Sequence, residues 1–165
     1  AIRKALVAAA CRLSTTDNIN NPRQLVRIDG TPVIIHILRG LESAGISQVV
    51  ITLGHAAHIL AKEVLAENYG SLTVDLVWCE ESSWKRGHAS NILAARSMFS
   101  MDNEPFLIVM ADHIYDPRLM VKCAAHPQAL LCTAVPRHDP ADEDCAVWAA
   151  APPPVPACHR SARGG

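Results

Sequence analysis

The sequence has almost no excess of charge of either sign. Its 15 Lys and Arg residues and 16 Asp and Glu residues leave a formal net charge of -1 at pH 7. Binding to nucleic acid or to an acidic membrane surface relies on a basic surplus. We therefore expect neither a nucleic-acid nor a membrane partner, so any recognition of phosphate has to be local. Hydrophobic residues make up 50% of the 165 residues, enough for one domain with a core.

Paired cysteines and long apolar runs are also missing. The 6 cysteines form no Cys-x-x-Cys pair and no zinc-type spacing with histidine, which favours scattered reduced thiols in a cytoplasmic protein. No apolar run is long enough to cross a bilayer. Residues 5–11 follow Arg3-Lys4 as in a signal peptide, but the run is short, so a buried strand is the better interpretation. The first residue is not Met, which is compatible with processing or with a longer parent chain.

Several well-known nucleotide-binding and catalytic motifs do not occur. The first apolar segment ends in Ala8-Ala9-Ala10-Cys11, without the Gly-x-Gly-x-x-Gly of dinucleotide-binding folds. The sequence has no Gly-x-x-x-x-Gly-Lys-Ser/Thr loop, no Gly-x-Ser-x-Gly elbow and no His-Glu-x-x-His. These absences exclude the classes of protein that the four motifs define.

Apolar segments alternate with amphipathic ones along most of the chain. Continuously apolar runs predict strands covered on both faces at residues 5–9 and 106–110. Further strands are predicted at residues 48–53, 72–78 and 129–135. Helical patterns lie between them, at residues 31–44, 56–68 and 89–99, and a short helix starts at Asp116-Pro117. This alternation predicts an α/β fold, a Rossmann-like three-layer α/β/α sandwich with a mostly parallel sheet.

The segment from Thr31 to Gly45 carries the clearest helix signal. Thr31 can cap the helix, with Pro32 at the first helical position, where a missing N–H costs nothing. Apolar residues then recur at helical spacing, at Ile34, Ile37, Leu38 and Leu41. Gly45 can adopt the left-handed conformation that ends a helix.

The alternation stops near residue 138. Residues 139–144 are acidic and residues 149–165 are rich in Ala and Pro, and proline fits neither a β-ladder nor a helix interior. We expect an α/β domain over residues 1–138 and a disordered tail over residues 139–165. A proline-rich ligand for a partner domain is the alternative interpretation of the tail.

Four turns follow the predicted strands, at the edge where open α/β sheets bind ligands. They carry Ala10, Arg12 and Arg23, then Gly54-His55, then Gly87-His88-Ala89-Ser90-Asn91, then Asp112-His113. Arginine neutralises phosphate oxygens, and Mg²⁺ takes few protein ligands besides phosphate. Two basic loops, a glycine turn and one carboxylate together therefore suit a magnesium–nucleotide site.

Each of these residues alone also fits a structural role. Asp112 alone would be interpreted as a cap, and Arg12 and Arg23 as solvated surface charges. His55 and His58 have metal-ligand spacing, but no third ligand is evident and a surface pair is favoured. Only their joint placement at one sheet edge favours the functional interpretation.

The motifs and their order resemble the sugar-phosphate nucleotidyltransferase superfamily, which includes the MobA-like NTP transferases. The resemblance is carried by the Ala-Ala loop with Arg12, by Pro22-Arg23, by Gly30-Thr31-Pro32-Val33-Ile34, by Ala44-Gly45-Ile46 and by Asp112. Residues 87–91 and 110–113 are most similar to the cytidylyltransferases that activate inositol phosphate or phosphocholine. The resemblance covers residues 6–135, an N-terminal portion of such enzymes.

The resemblance implies a set of roles. Ala8, Ala9, Ala10 and Arg12 would lie around the nucleotide phosphates, and Arg23 stands where the family has a phosphate-binding lysine. Gly54, Gly87, His88, Ala89 and Ser90 would line the rest of the nucleotide site, and Asp112 would bind Mg²⁺.

The implied reaction transfers a nucleotidyl group, with CTP as the favoured donor, to a small phosphorylated acceptor and releases pyrophosphate. The rival hypothesis is a non-catalytic nucleotide-binding or scaffold protein of the same fold. It is favoured by the first loop, which lacks the family's glycines, and by the missing second half. A glycosyltransferase of related fold is disfavoured because Asp112-His113 is not Asp-x-Asp. The acceptor and the oligomeric state stay open.

Overall fold

A computed structural model of the protein describes residues 1–10, 22–84, 89–100 and 104–126. The strands in these ranges are β1 (Lys4–Ala8), β2 (Arg27–Ile28), β3 (Thr31–Pro32), β4 (Gln48–Leu53), β5 (Thr73–Trp78) and β6 (Phe106–Met110). A 3₁₀ helix spans Arg23–Leu25. The α-helices are α1 (Val33–Ser43), α2 (Ala57–Ala66), α3 (Glu81–Trp84), α4 (Ala89–Ala94), α5 (Arg96–Phe99) and α6 (Pro117–Ala125).

The longer strands form one sheet in the order β5-β4-β1-β6, and every pairing in it is parallel. The register places Ala8 opposite Thr52 of β4 and opposite Met110 of β6. The chain moves outward from β1 to β5 and then returns to the other side of β1. Strand order therefore reverses at β1, the position where sheets of this kind bind ligands. The predicted parallel sheet is confirmed.

Helices cover both faces of the sheet. Successive residues of a strand point to opposite faces, so neighbouring residues of β1 pack against different helices. Val7 of β1 packs into the larger apolar cluster, together with Leu38 of α1 and Leu60 of α2. Its neighbour Leu6 packs on the other face, against Ala95 and Phe99. Both faces of β1 are thus buried, which explains its apolar residues and agrees with the predicted three layers.

The start of α1 differs from the prediction. Pro32 is the N-cap residue and not the first helical residue, and no side chain caps this helix. Thr31 instead pairs with Ile28 in an antiparallel hairpin. The two residues of the hairpin turn, Asp29 and Gly30, have positive φ angles of 49° and 79°. This is the pattern of the two-residue turns that join antiparallel strands. Thr31 therefore pairs with β2 and does not cap the helix.

The end of α1 is as predicted. Gly45 has a φ of 85°, in the left-handed region. Its N–H donates to the Glu42 carbonyl at 3.0 Å, and the Ile46 N–H donates to the Leu41 carbonyl at 3.1 Å. These two bonds form a Schellman motif, which satisfies carbonyls that the helix would otherwise leave open.

The other predicted elements lie close to the observed ones. The predicted bounds of β4 and β6 agree with the structure, and the predicted helix over residues 89–99 is divided between α4 and α5 at Ala95. Asp116 caps α6 by accepting a hydrogen bond from the Arg118 N–H at 2.9 Å. The predicted strand at residues 129–135 and the boundary at residue 138 lie outside the described residues. No helix in the described ranges combines the length and apolarity needed to cross a bilayer.

Gly45→Ala tests the left-handed end of α1. A Cβ at Gly45 meets nothing within 4 Å, so the cost is purely conformational. We expect the free energy of unfolding in urea to fall by about 1–2 kcal/mol. Gly70→Ala is the control, because its Cβ makes an ordinary contact at 3.5 Å with Glu42 and its φ is not left-handed. Equal effects of the two variants would contradict this account.

Candidate active site

Backbone hydrogen bonds bring the segments after β1, β4 and β6 together. The Ala9 N–H donates to the Thr52 carbonyl at 3.1 Å, and the Ala111 N–H donates to the Ala8 carbonyl at 3.1 Å. Gly54 directly follows β4, and Asp112 lies two residues beyond the end of β6. The structure therefore places Ala8, Ala9 and Ala10 between Gly54 and Asp112 at the carboxyl edge of the sheet.

Asn91 joins α4 to the same edge. Its side-chain Nδ2 donates to the Ala10 carbonyl at 2.9 Å, and its Oδ1 accepts from the Ala10 N–H at 3.1 Å. The Thr52 hydroxyl donates to the same Oδ1 at 2.5 Å. These bonds hold the first turn of α4, with Ala89 and Ser90, beside the end of β1. Ala89 and Ser90, two of the predicted site residues of the third turn, thus adjoin those of the first.

Asn91 and Thr52 have no role in the site predicted from the sequence. A signal for Thr52 is available, since it interrupts the otherwise apolar residues that follow Gln48 in β4. Both side chains are fully buried. Because buried polar groups need hydrogen-bond partners, such an interruption predicts a partner, although it does not identify one.

The backbone amides of Ala9 and Ala10 are already engaged inside the protein. One donates to Thr52 and the other to Asn91. Ala8, Ala9 and Ala10 are themselves buried, with exposed fractions of 4%, 1% and 0%. They form a closed wall at the edge of the sheet, and donors to a bound phosphate have to come from other residues.

Asp112 lies on a short loop that Tyr115 closes. The Tyr115 hydroxyl accepts a hydrogen bond from the Met110 N–H at 2.8 Å, across five residues. The Asp112 Oδ1 lies 2.7 Å from Nδ1 of His113, and the Asp112 side chain is 20% exposed. The carboxylate is therefore accessible at the surface of a loop whose two ends are fixed. Tyr115, like Asn91 and Thr52, has no role in the site predicted from the sequence.

The donor set suits a cation that arrives with phosphate. In the described part of the chain, no group of three or more His, Cys, Asp and Glu residues could hold a metal ion by itself. Mg²⁺ binds one or two carboxylates and completes its shell with substrate phosphates and water. Asp112 fits that requirement. The exposed imidazole of His58 contacts the Trp78 ring, with centroids 4.9 Å apart, in line with the surface role favoured above.

Arg23 lies at the same edge of the sheet. Its 3₁₀ helix adjoins the start of α1, because the Val33 N–H donates to the carbonyl of Val26, the residue that follows the 3₁₀ helix, at 2.9 Å. The C-terminal end of α1 lies at the opposite edge, because Ser47 just beyond it donates to the Arg3 carbonyl at 2.9 Å. The start of α1 is therefore at the carboxyl edge, together with the exposed Arg23. Arg12, Gly87 and His88 lie outside the described residues.

An open cavity of about 410 Å³ adjoins the first turn of α4. The residues around it include Trp78, Cys79 and Glu80 on one side and Ala89, Ser90 and Leu93 on the other. Trp78 is 52% exposed, although it ends a strand of the sheet. An apolar cavity with an accessible aromatic ring and a few polar groups is typical of small-molecule sites.

The ionisation of the two tyrosines of the chain, Tyr69 and Tyr115, tests the burial of their side chains. Burial raises the pKa of Tyr69 to about 12, and burial also raises the pKa of Tyr115 above 10.0. Folding therefore favours the neutral hydroxyls. The stability that they contribute is complete below the unfolded pKa of 10.0 and is lost as the pH rises through the folded values. We expect the tyrosinate absorbance of the native protein to rise at higher pH than that of the protein in urea.

Tyr115→Phe isolates the loop that carries Asp112. It removes the hydrogen bond to Met110 and should lower the free energy of unfolding by about 1 kcal/mol. Tyr69→Phe is the matched control, because Tyr69 contacts the Val64 carbonyl and lies far from this loop along the chain. Amide exchange near Asp112 should accelerate in the first variant alone, and equal exchange in both would refute the role of Tyr115.

The chain is similar to proteins of known activity over part of its length. It is 31% identical over 98 residues to the mannose-1-phosphate guanylyltransferase catalytic subunit beta of Drosophila pseudoobscura pseudoobscura. That match covers 59% of the chain and 26% of the relative. The chain thus spans about a quarter of the length of the curated relative that it matches.

Two solved structures share the fold. The inositol-1-phosphate CTP transferase from T. maritima has a TM-score of 0.53 at 20% identity, over 70% of this chain and 46% of that one. Rv0371C from Mycobacterium tuberculosis H37Rv, in a complex with manganese, has a TM-score of 0.54 at 20% identity. That match covers 76% of this chain and 59% of the other. At this identity the likeness concerns the fold.

The MobA-like NTP transferase domain family matches the sequence over residues 11–164. This is most of the 165 residues, and it agrees with the resemblance found in the motifs. The chain belongs to the family of MobA-like NTP transferase domains.

Proposed function

We propose that this domain is a nucleotidyltransferase. It transfers a nucleotidyl group from a nucleoside triphosphate to a small phosphorylated acceptor and releases pyrophosphate. The observation that carries the proposal is the family membership, joined to the placement of Ala10, Gly54 and Asp112 at one edge of the sheet. The relative and the first solved structure described above bear names that each combine a nucleotide with a phosphorylated small molecule.

The proposed chemistry is a direct displacement at phosphorus. A phosphate oxygen of the acceptor attacks the α-phosphorus of the triphosphate, and the bond from that phosphorus to the bridging oxygen of the β-phosphate breaks. Pyrophosphate leaves with the electron pair of that bond. The attacking oxygen is already anionic, so the protein needs to supply alignment and charge stabilisation and no general base.

Different residues of the chain are proposed to supply the alignment and the charge stabilisation. The buried wall of Ala8, Ala9 and Ala10 excludes water from one side of the triphosphate. Arg23, on the exposed 3₁₀ helix at this edge, is proposed to pair with phosphate oxygens, and Arg12 is proposed for the same task. Guanidinium groups suit it because they keep their charge and bind phosphate with two parallel hydrogen bonds.

Asp112 is proposed to hold the divalent cation, with Mg²⁺ as the favoured ion. The manganese complex of a protein with the same fold supports a divalent metal. A bound cation would neutralise part of the triphosphate charge. The chain's own contribution is a carboxylate held on the loop that Tyr115 closes.

For the nucleotide we propose CTP, with inositol phosphate or phosphocholine as the acceptor. The similarity of residues 87–91 and 110–113 to cytidylyltransferases supports this choice, as does the fold shared with an inositol-1-phosphate CTP transferase. GTP with a sugar phosphate is the second candidate, favoured by the 31% identity to a mannose-1-phosphate guanylyltransferase. The base is proposed to lie near the cavity beside Ser90.

Nucleotide binding without turnover is the remaining rival. The engaged amides of Ala9 and Ala10 favour it, because amides of a first loop that face phosphate are one source of charge stabilisation. Release of pyrophosphate separates the two. With CTP and inositol phosphate or phosphocholine, or with GTP and mannose 1-phosphate, the enzyme releases pyrophosphate and the binder does not.

Calorimetric titration with CTP, GTP, UTP and ATP, with and without Mg²⁺, tests the metal site. We expect the ion to tighten binding of the preferred nucleotide, and Asp112→Ala to abolish that enhancement. Asp29→Asn is the matched control: Asp29 is exposed in the hairpin turn, and asparagine tolerates its positive φ of 49°. If Asp112→Ala and Asp29→Asn respond alike to Mg²⁺, Asp112 does not hold the ion.

Arg23→Ala tests the phosphate contact. A charge-assisted hydrogen bond contributes about 1.5–3 kcal/mol, so nucleotide affinity should fall roughly tenfold to a hundredfold. Arg39→Ala is the control, because Arg39 pairs with Glu67 at 2.8 Å on the outer surface of α1. The loss should be smaller for CMP than for CTP, and an equal loss for both would argue against contact with the outer phosphates.

A further inference from the structure

We propose that Asn91 and Thr52 are positioning residues that fix the end of β1 for nucleotide binding. This inference rests on the proposed function and deepens it. The two side chains and the backbone of Ala10 form one buried group of hydrogen bonds, which is called the Asn91 brace below.

The brace extends β1 beyond its last strand residue. The Asn91 amide donates to the Ala10 carbonyl and accepts from the Ala10 N–H, so it meets both backbone groups of one residue, as a neighbouring strand would. Ala10 is fully buried. Buried backbone groups without partners are costly, and Asn91 removes that cost while allowing only one backbone orientation.

Thr52 adds a third hydrogen bond to the Asn91 amide. Its hydroxyl lies 2.5 Å from the Asn91 Oδ1 and 3.4 Å from the Val7 carbonyl. A hydroxyl donates one hydrogen bond, and the shorter distance assigns it to Asn91. The Ala10 N–H can only donate and the Ala10 carbonyl can only accept, so these two groups identify Oδ1 as the oxygen and Nδ2 as the nitrogen of the Asn91 amide. Thr52 is then the donor in its contact with Oδ1.

Three segments around the proposed site are therefore joined by one group of hydrogen bonds. Ala10 belongs to the segment after β1, Thr52 to the end of β4, and Asn91 to the first turn of α4 beside Ser90. The bond from Ala111 to Ala8 fixes the other side of β1, toward Asp112. The brace thus sets the separation between the proposed phosphate side and the proposed base side, and small errors in such distances reduce rates strongly.

Thr52→Val tests the brace with little change of shape. It keeps the branched side chain and removes the hydrogen bond that Thr52 donates to Oδ1 of Asn91. We expect the amide of Ala10 to exchange faster with solvent and the nucleotide Kd to rise about tenfold, with a parallel fall in kcat/KM. Thr52→Ser keeps the hydroxyl and should restore binding. Thr73→Val makes the same substitution at an exposed position of β5 and should change neither quantity.

Asn91→Asp is a second variant with an independent signature. It keeps the acceptor for Thr52 and places a carboxylate oxygen opposite the Ala10 carbonyl, so it should weaken nucleotide binding more than Thr52→Val does. Asn68→Asp, at an exposed position, is its control. Comparing urea midpoints separates loss of binding from loss of folding.

The outcomes are distinguishable. If Thr52→Val accelerates exchange at Ala10 and leaves nucleotide affinity and kcat/KM unchanged, the brace is only structural and the inference is wrong. A loss in Thr52→Val that Thr52→Ser fails to restore would also overturn it. If the wild-type protein binds none of the four nucleotides, the proposed function fails first and the inference fails with it.

Discussion

Hydrogen bonding of β1 to a parallel neighbour on each side governs the geometry of this domain. Ala8 lies opposite Thr52 and opposite Met110, so the chain segments that leave the three strands start from one line. Parallel strands share a direction, and their carboxyl ends consequently meet at one edge. A shift of the register by one residue would turn every side chain of β1 to the other face and separate the alanine wall from Asp112.

Polar groups at this edge are held by further hydrogen bonds at the ends of the strands. Asn91 holds the backbone of Ala10, and Tyr115 holds the backbone of Met110. Both contacts join a side chain to the main chain just where the regular ladder ends. Asp112, on the loop that Tyr115 closes, can therefore be accessible and still have a defined position. A binding site for a charged ligand needs side chains in defined positions.

Apolar runs and helical spacing predicted the strands β4 and β6 and the body of α1, because burial against the sheet decides these elements. Gly45 was predictable for a similar reason, since few residues accept its left-handed φ. The start of α1 was not, because Thr31 and Pro32 satisfy both a helix start and a short strand. The choice depended on Asp29 and Gly30, whose turn signal competes with the cap.

The site was predictable only in outline. The positions of the turns after the predicted parallel strands indicated that Ala10, Gly54 and Asp112 would lie at one edge. The contact between Ala10 and Asn91 joins residues 81 positions apart, and no local pattern predicts a pairing at that separation. The engagement of the Ala9 and Ala10 amides follows from the same contacts, and it leaves these two amides unavailable to a ligand.

A crystal structure of the protein with Mn²⁺ and a non-hydrolysable analogue of CTP tests the central claim most directly. The account predicts that Mn²⁺ binds directly to an Asp112 oxygen and that the triphosphate lies along the carboxyl edge beside Ala10. A nucleotide bound away from the carboxyl edge of the sheet, or a metal ion bound away from Asp112, would contradict the account.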